Sequence, residues 1–408
     1  MLSGKDILFI PGPVAVSHDV LAAQAQPLID HRGPRFAELL RSIVRRLQPI
    51  FGTRQEVVLL GSSGTGGLEA AVTSLFSPGD RLLACPTGVF GQRLVRIARA
   101  FGCDVETLET ESGHALDTRR LASALQGDVR RSVRGVLLTH NETSTGVEND
   151  MAAIGAAVRE HPALRVIDSV SGLGASEFCM DAWGFDAVVA ASQKVLAAPP
   201  GLSMIALSER AWVSMQDSTG PRFYFDLRKA REFAGKGQTP WTPPVSILFA
   251  LEAALQRFEA EGPVSVWLRH DTYAGAIAAA VAAMGLELFS RRGAHSRTVV
   301  AIAVPPAVDA HRLLETLRER WGIILSGGQE QLRGKIIRIG TMGDLSRSDI
   351  IGALAALESA LVEQGWKLKP GAGVEAALHA FAAPQGVKLD AAPKSDPKET
   401  ARTTAAFR

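Results

Sequence analysis

A chain of 408 residues, 46% hydrophobic and with a formal net charge of +2, can build two domains around a large core and carries no field that would attract nucleic acid or a membrane surface. Its three cysteines, Cys85, Cys103 and Cys179, form no CxxC pair and no Cys/His cluster with zinc spacing, which argues against a disulfide framework and for a reducing cytoplasm. No apolar run approaches the roughly 20 residues of a spanning helix, and the first residues lack a signal-peptide pattern.

Residues 7–10 read as a short apolar strand or arm, and Pro11-Gly12-Pro13 as a rigid bend. After the polar loop 31–35, a helix over 36–50 is apolar at Phe36, Leu39, Leu40, Ile43, Val44 and Leu47. From residue 56, strands over 57–60, 81–85, 104–108, 133–138 and 165–167 alternate with helices over 68–76, 92–101, 118–125 and 151–160. That rhythm predicts an α/β fold with a mainly parallel, doubly wound sheet. Strands over 186–191 and 202–207 flank Lys194, and their connection is too short for a helical crossover, so one antiparallel strand is expected. Residues 217–244 are irregular and rich in aromatics and glycine; a helix over 245–261 follows, ended by Gly262-Pro263. Helix 266–284, strand 298–304, helix 308–321, strand 336–340 and helix 347–364 make a smaller α+β unit. From about residue 382 the composition has little to bury and predicts a disordered tail. The expected organisation is an arm (1–20), a large domain (21–262), a small C-terminal domain (263–381) and the tail (382–408).

Several strand-end segments carry polar chemistry. Gly61-Ser62-Ser63-Gly64-Thr65-Gly66-Gly67 links a strand to a helix. Its glycines permit close backbone approach and the helix start offers free N–H groups, so it reads as a phosphate cradle or as a helix start capped by Ser63 or Thr65. Glu69 occupies the third-glycine place of a dinucleotide fingerprint, which disfavours a nicotinamide dehydrogenase. Thr139-His140-Asn141-Glu142-Thr143-Ser144-Thr145-Gly146 is a dense polar cluster; His140 has no partner ligand at metal spacing, and loop hydrogen bonding accounts for most of these residues. Asp168 ends a buried strand, where it either caps the next turn or faces the crevice beyond the strand ends and holds a protonated ring nitrogen. Lys194, in Ser192-Gln193-Lys194, either snorkels to water or is desolvated into a nucleophilic Schiff-base amine. Arg338 shares a half-buried strand face with Ile336 and needs an anionic partner, an internal carboxylate or a ligand. One ligand with a phosphate, a basic ring nitrogen and a carbonyl suits the first of these segments together, and pyridoxal 5'-phosphate has all three.

From about residue 7 to residue 381 the chain resembles the class V, fold-type I aminotransferases of the serine/alanine–glyoxylate group. The resemblance is carried by Phe9-Ile10-Pro11-Gly12-Pro13, Ser62-Ser63-Gly64-Thr65-Gly66, His140-Asn141-Glu142-Thr143-Ser144-Thr145-Gly146-Val147, Met180-Asp181-Ala182-Trp183-Gly184, Ser192-Gln193-Lys194, Thr239-Pro240-Trp241-Thr242-Pro243 and Arg338-Ile339-Gly340. Some members of a similar bacterial subgroup carry a soluble-hydrogenase label, but three scattered cysteines do not supply the usual ligand set of an iron–sulfur centre.

The resemblance implies that Lys194 forms the Schiff base with pyridoxal 5'-phosphate and then shuttles the proton. It implies that Ser63, Gly64, Thr65 and Gln193 contact the phosphate, that Asp168 pairs with the ring nitrogen, and that Phe90 and Val170 flank the ring. Thr143 is implied near the 3-hydroxyl, Arg338 at the substrate carboxylate, and Thr242 at the phosphate of a neighbouring subunit in a homodimer with shared sites. Phe90 stands where some relatives have tryptophan, and Thr239 where some have tyrosine. The implied activity is transamination of serine or alanine with glyoxylate or pyruvate, by ping-pong kinetics. Alternatives on the same fold are a lyase or cysteine desulfurase, or another donor such as aspartate or ureidoglycine. A desulfurase would need a mobile catalytic cysteine and typically has histidine where Phe90 and Gln193 stand.

Overall fold

The computed structural model describes residues 6–383. The large sheet is built from β2 (Val57–Gly61), β3 (Arg81–Ala84), β4 (Asp104–Thr107), β5 (Gly135–Thr139), β8 (Leu164–Asp168), β9 (Ala187–Ala191) and β10 (Leu202–Leu207). The strand β1 (Ile7–Leu8) precedes it, and β6 (Asn141–Glu142) and β7 (Val147–Glu148) form a small hairpin beyond β5. The order across the sheet is β2-β10-β9-β8-β5-β3-β4. Only β10 runs against its neighbours, pairing antiparallel with both β2 and β9. The short connection carrying Lys194 therefore folds back as expected.

Every residue of β5, β8, β9 and β10 is buried. Strands covered on both faces have no polar side to alternate with, which is why they read as continuous Val/Ile/Leu/Ala runs. The period of two still decides destinations: Val136 and Leu138 enter one core, and Leu137 between them enters the core on the other face.

A second sheet, antiparallel, takes the order β11-β12-β15-β14, from β11 (Glu287–Leu288), β12 (Val299–Ala303), β14 (Ser326–Gly327) and β15 (Ile336–Gly340). Between them β13 (Ile323–Ile324) pairs in parallel with β1, and Phe9 is buried in the same core as Ile337 and Ile339. The N-terminal arm is thus sewn to the C-terminal sheet before it crosses toward Lys194: Gly340 N donates to Phe9 O at 2.6 Å, and Val14 N to Gln193 O at 3.3 Å.

Some boundaries differ from the sequence reading. The helix expected from residue 68 starts at Gly64 (Gly64–Leu75), because Ser63 caps it by accepting from Gly66 N and its glycines pack on the sheet. The helix expected from 92 starts at Val89 (Val89–Ala100), which brings Phe90 into its first turn. The helix Val245–Glu261 stops at Gly262 as expected, but the next helix, expected from 266, already starts at Pro263 (Pro263–Ala283), where the missing N–H costs no bond. The helix Ala372–Ala382 was not anticipated; its alanine-rich pattern shows little amphipathic contrast. The expected tail lies, from residue 384 on, outside the described residues.

Candidate active site

The carboxyl ends of β2, β5, β8 and β9 open on one edge of the sheet, and the polar segments all leave from that edge. At the end of β2, Ser63 caps a helix whose first residues, Gly64 and Thr65, present free N–H groups and the positive end of the helix dipole. Gly64 has a steric reason: a Cβ there would lie 2.7 Å from a methyl of Val170, so the turn packs directly against the segment after β8.

Lys194 leaves β9 on the hairpin to β10. Its Nζ donates to the backbone carbonyl of Pro11 at 2.6 Å. Burial draws the amine down to about 8; Asp168 pulls the other way, and Arg338 and Arg93 add to the lowering. Asp168, at the end of β8, is buried, and its Oδ1 accepts from Val170 N at 3.0 Å. Burial pushes this carboxyl up to about 6, with Glu142 adding and the Val170 N–H, Arg93 and Lys194 opposing. The capping reading of Asp168 is met by the bond from Val170 N, and its carboxyl also acts electrostatically on Lys194. Gln193, beside Lys194, keeps a buried amide oxygen without a hydrogen-bond partner among the described residues.

Arg338 reaches this group from β15. It is fully buried rather than half-buried, and its cation is drawn down to about 10 by that burial. The bland expectation of a direct internal carboxylate partner is not met among the described residues. Its guanidinium instead donates to Gly327 O at 2.8 and 3.0 Å and to Thr143 O at 3.0 Å, with Glu142 acting from farther off. Thr143 holds Arg338 through its carbonyl, while its hydroxyl is engaged with Ser171 Oγ at 2.8 Å.

Phe90 is fixed by a residue that sequence reasoning left in a generic polar cluster. The buried Glu142 carboxylate accepts from Phe90 N at 3.1 Å, Gly91 N at 2.9 Å and Ser144 N at 3.1 Å, and from Ser144 Oγ at 2.6 Å. It is a charged N-cap supplied from another segment, and burial raises its pKa against those four donors. The signal was available: Glu142 is the only acid between Thr139 and Gly146. His140 also serves the site's rear wall, with Nδ1 2.8 Å from Ser169 Oγ and its backbone N donating to Asp168 O at 2.8 Å.

Two more residues were missed. Gly12 lies where a Cβ would sit 2.5 Å from Lys194 Nζ. Arg93, one helical turn beyond Phe90, holds its guanidinium 4.6 Å from the Phe90 ring centroid and its Nη1 3.4 Å from Thr65 Oγ1. Spacing from Phe90 along a helix would have pointed to it. Thr242 is exposed and, among the described residues, hydrogen-bonds to none of the other candidates.

A model of the aminotransferase class-V family matches residues 18–341. The chain is 38% identical to the soluble hydrogenase 42 kDa subunit of Anabaena cylindrica, over 93% of this chain and 100% of that protein. It is 36% identical to the L-aspartate–glyoxylate aminotransferase of Paracoccus denitrificans, over 92% of this chain and 96% of that one. The solved structure of ureidoglycine–glyoxylate aminotransferase from Bacillus subtilis matches with a TM-score of 0.88 at 28% identity, covering 94% of this chain and 100% of that chain. The fold is therefore that of the fold-type I transferases. The chain belongs to the class V aminotransferases, as its motifs implied.

Proposed function

We propose that this protein is a pyridoxal 5'-phosphate-dependent aminotransferase that moves an amino group from a small amino acid, serine or alanine, to glyoxylate or pyruvate. The observation that carries the reading is the convergence on one sheet edge of a desolvated amine at Lys194, a buried carboxyl at Asp168 and a buried cation at Arg338. Glyoxylate appears in the names of two of the relatives above, which supports it as acceptor.

The residues present suit the cofactor. Free N–H groups of Gly64 and Thr65, with the Ser63 and Thr65 hydroxyls, offer donors to a phosphate, and the side-chain NH2 of Gln193, beside Lys194, would add another. Phe90 and Val170 would cover the two ring faces, and Asp168 would hold the ring nitrogen protonated. When bound, pyridoxal phosphate supplies an aldehyde for amines and an electron-withdrawing ring that acidifies the substrate Cα–H. The amine of Lys194, drawn to about 8, would hold the cofactor through its aldehyde, and Lys194 Nζ would be the group that accepts the proton from the substrate Cα. Arg338 would bind the substrate carboxylate, its fork already oriented by Gly327 O and Thr143 O. Two half-reactions through one site predict ping-pong kinetics.

The desulfurase alternative finds no activated thiol. Cys85 and Cys103 are buried with thiols pushed up to about 12 and about 11, and burial also raises Cys179. Thr242 belongs to the reading as a contact made to a second copy in a homodimer. Support comes from the surface beside it: Phe223 is 75% exposed and stacks with Trp241, which stacks in turn with Tyr224. Such an aromatic patch fits a surface that another chain covers. The three free cysteines fit a reducing, cytoplasmic setting, and no described helix is long and apolar enough to cross a membrane. The large (21–262) and small (263–381) domains would face each other across Lys194 and Arg338.

The test is spectroscopic and kinetic. The protein loaded with the cofactor should show a visible absorbance band that disappears on adding the amino donor and returns on adding glyoxylate. Borohydride should fix the cofactor to Lys194, found by peptide mapping. Label on another lysine, or no spectral response to any donor among serine, alanine and aspartate, overturns the reading.

A further inference from the structure

Arg93 is a cation with no ion-pair partner among the described residues, the Asp168 carboxyl feeling its charge only from farther off. It is half-buried on helix Val89–Ala100, and no carboxylate lies within ion-pair distance of it among the described residues. Its neighbour one turn on, Arg96, pairs with Glu330 at 3.2 Å, and Arg99 donates to Val105 O at 3.0 Å. Arg93 is directed elsewhere. Its guanidinium packs 4.6 Å from the centroid of the Phe90 ring, and among the described residues its one side-chain hydrogen bond is to Thr65 Oγ1 at 3.4 Å, in the first turn of the helix capped by Ser63. A partly desolvated cation is costly until something anionic completes it.

The charge around this turn is otherwise incomplete for a phosphate. Ser62 to Gly67 contain no lysine or arginine. Lys194 is turned to Pro11 O, and Arg338 is held by Gly327 O and Thr143 O. A phosphate dianion on the Ser63 turn would therefore meet N–H groups, hydroxyls and a helix dipole worth about half a charge, with no full positive charge of its own. Arginine matches phosphate geometry with two parallel N–H donors.

We infer that Arg93 pairs with the phosphate of the bound cofactor, contributing the full positive charge that the Ser63–Gly64–Thr65 turn lacks. The inference rests on the cofactor reading above. Phe90 helps set its direction: the guanidinium lies over that ring, with Nη1 toward Thr65 Oγ1.

Equilibrium titration of the cofactor-free protein with pyridoxal 5'-phosphate and with pyridoxal, which lacks the phosphate, tests it for wild type, Arg93→Gln and Arg93→Lys. Arg93→Gln should weaken binding of the phosphorylated form by about ten- to a hundredfold while leaving pyridoxal within about twofold. Arg93→Lys should recover part of the loss, because it keeps the charge and loses the fork. The salt dependence of pyridoxal phosphate binding should be shallower in Arg93→Gln than in wild type. Equal weakening of both ligands would mean that Arg93 acts only by bracing Phe90, and unchanged affinity for both would remove it from the site; either overturns the inference and leaves the cofactor reading standing. Unchanged cofactor affinity with a raised Michaelis constant for aspartate alone would assign Arg93 to a distal carboxylate of the substrate instead. A wild-type protein that binds neither ligand would overturn the cofactor reading itself.

Discussion

Lys194 Nζ donates to the carbonyl of Pro11 at 2.6 Å, a contact across 183 positions of sequence. The arm that supplies this carbonyl is anchored on the other sheet through β1 and β13, so the amine is held between the two parts of the fold. Gly12 makes the approach possible: its φ is +124°, and a Cβ would fall 2.5 Å from Nζ. Gly12→Ala should slow the formation of the borohydride-trappable link to pyridoxal phosphate by at least tenfold, on the order of the 1.4 kcal/mol that a tenfold change represents. Stopped-flow absorbance of cofactor loading checks this; a wild-type rate would mean the arm yields freely.

Asp168→Asn separates function from stability. Turnover should fall by about a hundredfold or more, since a neutral amide no longer holds the ring nitrogen protonated. The cofactor-free protein should behave oppositely. Burial raises the Asp168 carboxyl from 3.8 to about 6, so the folded state holds its proton more tightly than the unfolded chain. Its stabilising contribution is complete below the unfolded value and is lost as pH rises through about 6. The Asn variant, which keeps an oxygen for Val170 N–H, should be more stable than wild type at neutral pH by about 3 kcal/mol at most, and so melt higher, with the gap closing at acid pH. Calorimetric scans across that range would expose a gap that stays constant, which would tie the effect to packing.

Arg338→Lys should raise the Michaelis constants of both the amino donor and the keto acid, because both present a carboxylate to one site. Loss of a charge-assisted fork corresponds to about 1.5–3 kcal/mol, or roughly one to two decades. The visible band of the loaded protein should persist. A fall in melting temperature with both constants unchanged would make Arg338 a structural tie between β15 and the Thr143 loop.

Glu142→Gln replaces an acceptor-only group that faces four donors. The amide NH2 would confront Phe90 N–H, Gly91 N–H or the Ser144 donors, leaving at least one unsatisfied in a buried place. That should cost about 1–3 kcal/mol of stability, and the cofactor should bind more weakly as Phe90 loosens. Denaturant unfolding and cofactor titration measure the two effects; a drop in neither would mean the helix start does not depend on the carboxylate.

The sheet was legible because strands buried on both faces leave long apolar runs, and the short Lys194 connection alone required an antiparallel return. Ser63, Asp168 and Lys194 were also legible, since each ends or follows a strand and a polar residue there has few places to go. Family resemblance added expected roles that the residues alone left open, such as a ligand carboxylate in place of an internal one as the proposed partner of Arg338. Other features depended on contacts between distant segments, which no local pattern encodes. Pro11 meets Lys194 only because the arm is pinned to β13. Glu142 caps the Phe90 helix only because the segment beyond β5 folds beneath it. Arg93 faces Thr65 only because helices Gly64–Leu75 and Val89–Ala100 lie side by side. Burial and charge are then decided jointly: the same lysine that snorkels at an open loop tip becomes, under the arm, an amine with a pKa of about 8.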